Sequence, residues 1–149
     1  MTMEMEKPYV IGIDMGGTNT VFGIVDARGN VIAKGAIKTD NPDINSYISD
    51  LKTELDKQIE VVGGIEKIKG IGAGCPNGNF YTGNIEFAPN LPWKGVVPFA
   101  KLLQDTFGVP AAITNDANAA AVGEMTYGIA RGMKNFIMIT LGTGVGSGI

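Results

Sequence analysis

Residues 10–20 read VIGIDMGGTNT, and the reading of this stretch decides the fold. Val10, Ile11 and Ile13 make an apolar run suited to a buried strand. The run stops at Asp14, turns through Gly16 and Gly17, and resumes with Thr18 and Thr20. Two glycines in a turn tolerate positive φ at little steric cost and let backbone N–H groups approach an anion closely. Thr18 and Thr20 add hydroxyl donors. A carboxylate does not bind phosphate, but Asp14 can hold a water or a hydrated magnesium ion beside one. One reading is a phosphate-binding hairpin with an acidic partner on the metal side. The other is an ordinary Gly-Gly hairpin.

The surrounding chain has 149 residues, enough for one domain with a sizeable core. Hydrophobic residues make up 44% and charged residues only 18%, the balance of a globular rather than a disordered chain. A net charge of −3 opposes a nucleic-acid surface, and Lys67, Lys69, Arg131 and Lys134 read as solvated positions. The single cysteine, Cys75, excludes an internal disulfide. The absence of histidine excludes Cys/His zinc sites, Ser-His-Asp triads and Cys-His pairs built within this sequence. The opening MTMEMEKP carries two Glu in place of the basic start of a secretory signal, and no apolar run reaches membrane-spanning length. A reducing, cytoplasmic setting is the expectation.

Working outward from the hairpin, residues 9–14, 20–26 and 31–39 are predicted as three strands of an antiparallel meander. Asp40 or Asn41 is placed to cap a helix, with Pro42 at its first position. Ile44, Tyr47, Ile48, Leu51, Leu55 and Ile59 then recur at helical spacing up to Gly63-Gly64. Residues 68–74 form a short buried strand, reached by enough chain for a parallel crossover. Residues 75–90 are loop and hairpin. Pro98 opens a second helix with Phe99, Leu102, Leu103 and Phe107 inward and Gly108 as its stop. Residues 109–114 are another buried strand, followed by an Ala-rich helix from Asn115-Asp116. Residues 135–141 are an apolar strand running into GTGVGSGI. The fold class is α/β, a mixed sheet with helices on its faces. Residues 1–129 are expected to form one lobe, and residues 130–149 the start of a second that repeats the first in outline.

Several positions offer chemistry. Gly142, Thr143, Gly144 and Gly146 lie in a second glycine-rich turn able to cradle phosphate, though such hairpins are common. No helix pattern follows it, so it is not a Rossmann fingerprint, and no Walker A lysine is present. Asn115 and Asp116 stand at the carboxyl end of a strand, the usual ligand edge of open α/β sheets. Asp116 can accept a proton from a substrate hydroxyl or simply cap the helix. Asn90 can donate to and accept from a sugar hydroxyl, or serve as a turn residue. Trp93 reads as a buried loop anchor that could instead stack on a sugar. Cys75 reads as a small buried residue rather than a nucleophile.

The segments IGIDMGGTNT, GAGCPNG, APNLPW, ITNDANAAAVGE and LGTGVGSGI, in that order, resemble the ROK family (repressors, open reading frames, sugar kinases), and most closely its bacterial glucokinase branch. The resemblance implies a ribonuclease H-like lobe of the actin-like/hexokinase-like ATPase fold, with ATP and sugar in a cleft between two lobes. It assigns Asp14, Gly16, Gly17 and Thr18 to the first phosphate turn and Gly142, Thr143, Gly144 and Gly146 to the second. Asp116 matches the catalytic base. Asn90 and Asn115 match sugar-contacting positions, and Pro76, Asn77 and Gly78 a loop lining the sugar pocket. The family's Glu and His that complete the sugar site, its zinc-binding cysteines and its adenosine pocket would lie beyond Ile149. The chain is accordingly expected to be an N-terminal part with little or no kinase activity alone.

The implied activity is direct transfer of the ATP γ-phosphoryl to the 6-OH of glucose, with Mg²⁺ held through Asp14 and water. Fructose or N-acetylmannosamine is the alternative acceptor. A ROK-type sugar-sensing repressor is the alternative class, although fewer than ten residues precede the first strand and leave no room there for a helix-turn-helix. No nucleic-acid or membrane partner is expected, and a homo-oligomer is.

Overall fold

The computed structural model describes residues 7–26 and 30–115. Strand β1 (Tyr9–Met15) pairs antiparallel with β2 (Asn19–Val25), which pairs antiparallel with β3 (Val31–Lys38). Helix α1 (Ile44–Val61) then carries the chain across to β4 (Ile68–Gly74), which lies parallel to β1 on its other side. After a small three-stranded sheet of β5 (Gly78–Asn79), β6 (Asn84–Glu86) and β7 (Val96–Val97), helix α2 (Phe99–Phe107) leads to β8 (Ala111–Thr114). Strand β8 joins the main sheet parallel to β4, giving the order β3-β2-β1-β4-β8. A meander followed by two parallel strands is the ribonuclease H-like arrangement.

The helical spacing of α1 is realised in its buried residues Tyr47, Ile48, Leu51, Leu55 and Ile59. They form one core with Ile11 and Ile13 of β1, Phe22 and Ile24 of β2, Ile71 of β4 and Phe99 and Leu103 of α2. Helix α2 touches α1, so both described helices occupy the same face of the sheet. On the opposite face Gly23, Gly12, Gly72 and Ala112 pair in one row across four strands, a strip without large side chains.

The start of α1 differs from the expectation. The cap is Asp43, whose carboxylate accepts from the Asn45 amide, and Pro42 stands outside the helix. Asn41 makes the difference: its side-chain oxygen accepts from the Asp43 amide, and its Nδ2 donates to the Ser46 hydroxyl. That Asx turn holds residues 41–43 non-helical and moves the cap on. Helix α2 runs from Phe99 and ends as expected at Gly108, whose φ of 72° is the left-handed conformation of a C-terminal cap. Leu102 is only partly buried, so it borders the core instead of filling it.

Candidate functional site

The parallel strands bring three loops to one edge. In the sheet register Asp14 pairs with Gly74, and Gly74 pairs with Thr114, so these residues form one rung at the carboxyl ends of β1, β4 and β8. Immediately beyond the rung the chain leaves as Gly16–Thr18, as Pro76–Gly78 and as Asn115. Such an edge is where open α/β sheets take their ligands, because loops from neighbouring strands converge there.

The first loop is a tight turn closed by a 2.8 Å bond from the Gly16 amide to the Asn19 carbonyl. The amide of Gly16 is therefore engaged within the turn, and Gly17 and Thr18 form its exposed apex. Neither Gly16 nor Gly17 takes a left-handed φ, contrary to the expectation for a Gly-Gly turn. Their value is proximity instead. A Cβ on Gly16 would stand 3.0 Å from the Asn19 carbonyl oxygen, and one on Gly17 would stand 3.4 Å from Asn90. The turn is tied from behind by the Thr39 amide, which donates to the Thr18 carbonyl at 2.9 Å.

Asn90, exposed, thus lies against the apex of the turn. Its loop is anchored by Leu91 and Trp93, both buried, and the Trp93 indole N–H donates to the Asn41 carbonyl at 3.0 Å. The indole also packs on Tyr47 with ring centroids 4.7 Å apart. Trp93 is therefore a loop anchor, and its ring is not available as a stacking platform.

The second loop is locked to the third. The Cys75 amide donates to the Thr114 carbonyl, and a Cβ on Gly78 would run into that same carbonyl oxygen. Asn77 has a left-handed φ of 55°, and its Nδ2 donates to the carbonyls of Glu86 and Phe87. Phe87 shares that φ of 55° and is 70% exposed, an uncommon combination for a bulky residue. Cys75 is fully buried, and burial, reinforced by the negative charge of Asp14, pushes its thiol far above the usual range. A thiol held neutral in this way is no nucleophile.

Asp14, half-buried, lies next to Cys75 at the foot of the turn. Among the described residues no group of three or more Asp, Glu, His or Cys could hold a metal ion. The donor set suits a cation that arrives on phosphate oxygens and keeps most of its waters, with one carboxylate nearby. The structure therefore brings together Asp14, Gly16, Gly17, Thr18, Asn90, Pro76, Asn77, Gly78 and Asn115. Asp116, Gly142, Thr143, Gly144 and Gly146 lie outside the described residues. Thr20, read in the sequence as a hydroxyl donor at the turn, is instead wholly buried behind it, bonded to Thr39 and Tyr47 in a hydroxyl cluster that sequence reasoning missed. Tyr47 reads in the sequence only as an apolar helix position.

A ribonuclease H-like sheet with a glycine turn after β1 and three loops converging at one edge is the arrangement of a lobe of the actin-like/hexokinase-like ATPase fold. The ROK family model matches residues 10–149, and the chain belongs to that family. A glucokinase from Halalkalibacterium halodurans is 36% identical over 97% of this chain and 44% of its own length. A xylose repressor from Caldicellulosiruptor bescii is 32% identical over 94% of this chain and 36% of its own length. A ROK family glucokinase from Streptomyces griseus, solved in complex with glucose and AMPPNP, superposes with a TM-score of 0.64 at 28% identity, over 78% of this chain and 36% of that one. The chain thus spans less than half the length of the relatives it matches.

Proposed function

We propose that the chain is the N-terminal lobe of an ATP-dependent hexose kinase, with glucose as acceptor and its 6-OH as the attacking group. Residues 1–129 supply this lobe and residues 130–149 begin the second. The observation that carries the reading is the contact of the Gly16–Thr18 turn with Asn90 at the same sheet edge as Asn115. A phosphate site and a sugar site must adjoin for direct transfer, and these two loops do.

In this reading the exposed apex at Gly17 and Thr18 receives the terminal phosphates, and Asp14 orients a water of the accompanying Mg²⁺. Asn90, Asn115 and the Pro76–Gly78 loop bind the sugar hydroxyls. Asp116, next to Asn115 in sequence, holds the 6-OH in line and takes its proton. Phosphoryl transfer has a loose transition state, so positioning and charge neutralisation outweigh base strength. Gly142, Thr143, Gly144 and Gly146 provide the second phosphate turn. The protein works as a soluble homo-oligomer in the cytoplasm, and no described helix is long and apolar enough to cross a membrane.

The testing experiment is sugar-dependent ADP release by the full-length protein over a hexose panel, with Asp116→Asn beside it. Glucose is expected to support release, and the variant is expected to lose turnover while still binding sugar. Turnover near wild type in Asp116→Asn would remove the base assignment. The similarity to a xylose repressor favours a sugar-responsive regulator as second reading. Sugar binding without ADP release from any hexose would select it.

A further inference from the structure

Three buried hydroxyls stand directly behind the phosphate turn. The Thr20 hydroxyl lies 2.8 Å from that of Thr39 and 2.7 Å from that of Tyr47, and Thr20 and Thr39 are both wholly shielded from solvent, as is Tyr47. Each member belongs to a different element. Thr20 is the second residue of β2, just past the turn, Thr39 follows β3, and Tyr47 sits in the first turn of α1. Thr39 also holds the turn through its own amide, at the Thr18 carbonyl. Tyr47 carries the linkage onward, because its ring packs on Trp93, which anchors the loop bearing Asn90. Asn90 returns to the apex at Gly17. The contacts lead from the turn through Thr20 and Thr39 to Tyr47 and Trp93, and the short chain from Trp93 to Asn90 brings that loop back beside the turn.

We infer that the Thr20–Thr39–Tyr47 hydroxyl cluster is a positioning device that fixes the phosphate turn relative to the Asn90 loop. The inference rests on the kinase reading above. A core packing role alone would be filled by apolar side chains of the same size, and buried hydroxyls are retained at a desolvation cost that only directional bonds offset. Burial keeps the Tyr47 phenol protonated throughout the ordinary pH range, so the cluster carries no charge. Thr20 sits at the centre with two partners, so removing either one still leaves it bonded. The fold therefore survives a single deletion while the geometry loosens.

The test uses the full-length protein and four variants: Thr39→Val, Thr39→Ser, Tyr47→Phe and, as a control toward the far end of α1, Ile59→Val. Thr39→Val keeps the volume and the backbone bond to Thr18 but removes the hydroxyl; Thr39→Ser keeps the hydroxyl and loses a methyl. Thr39→Val and Tyr47→Phe are expected to lower kcat about tenfold, the scale of a small misplacement of reacting groups, with the sugar KM within about twofold of wild type. Thr39→Ser is expected to restore kcat although its Tm is reduced, and Ile59→Val to lower Tm without touching kcat. A purely structural role would instead rank kcat by Tm across the set, and that ranking would overturn the inference. So would turnover within twofold of wild type in both hydroxyl-deleting variants. A wild-type protein with no sugar-dependent ADP release would refute the underlying kinase reading, and the inference with it.

Discussion

Gly17 separates two reasons a glycine can occupy a turn. Its φ is not left-handed, and a Cβ there would make only an ordinary contact with Asn90 at 3.4 Å. The backbone thus gives little structural reason against alanine. A methyl group would, however, stand on the exposed apex, the position proposed to receive a phosphate. Gly17→Ala is expected to leave Tm nearly unchanged and to raise the nucleotide KM by about tenfold, equal to ~1.4 kcal/mol of lost binding. Nucleotide titrations alongside thermal melts check this, and an unchanged KM would remove the apex from the phosphate site. Gly16 differs, since its Cβ would crowd the Asn19 carbonyl oxygen that its own amide binds. Gly78 is the strictest of the three, because the Thr114 carbonyl occupies the space a side chain would need. The dipeptide GG advertises a turn in the sequence, but only the fold shows which glycine the chain needs for its own packing and which it leaves open at the surface.

The elements were legible in proportion to their length. Helix α1 repeats its apolar positions through more than four turns, and the period alone identified its buried face. Strands β1, β2 and β4 were legible as apolar runs ended by turn signals. The two- and three-residue strands β5, β6 and β7 hold no period to read, and only their pairing defines them. Tyr47 shows the same limit from another side: spacing places it inward, but the hydroxyl it meets belongs to Thr20, 27 positions away in sequence. The start of α1 was misplaced because Asp40, Asn41 and Asp43 are all good caps by type, and the Asn41 side chain decides among them. Asp43→Ala is expected to destabilise the protein by ~1 kcal/mol, the usual cost of losing an N-cap, and the exposed Asp40→Ala to have no comparable effect. Urea midpoints of the two variants measure the difference, and equal losses would return the cap to the earlier position.

At the scale of the molecule, the question is whether the loop carrying Asn90 is an appendage or part of the lobe. The small sheet is separate in its hydrogen bonding, since among the described residues β5-β6-β7 shares no ladder with the main sheet. Its side chains are not separate. Ile85, Ala88, Leu91, Trp93 and Val97 belong to the same buried cluster as the residues of β1, β2, α1 and α2. The Gly83 carbonyl accepts from the Ala100 amide at the head of α2, and the Trp93 indole is bonded at the entry to α1. An insert with its own core could melt early and would carry Asn90 away from the turn; one sharing the core cannot, because exposing its side chains opens the centre of the lobe. Trp93 is the single tryptophan of the chain, so its emission reports this loop alone, while far-UV circular dichroism reports the helices and main sheet. The two signals are expected to give one coincident urea transition. An earlier fluorescence midpoint would show a loop that unfolds by itself, and the fixed spacing between Asn90 and the phosphate turn would then require ligand binding to create it.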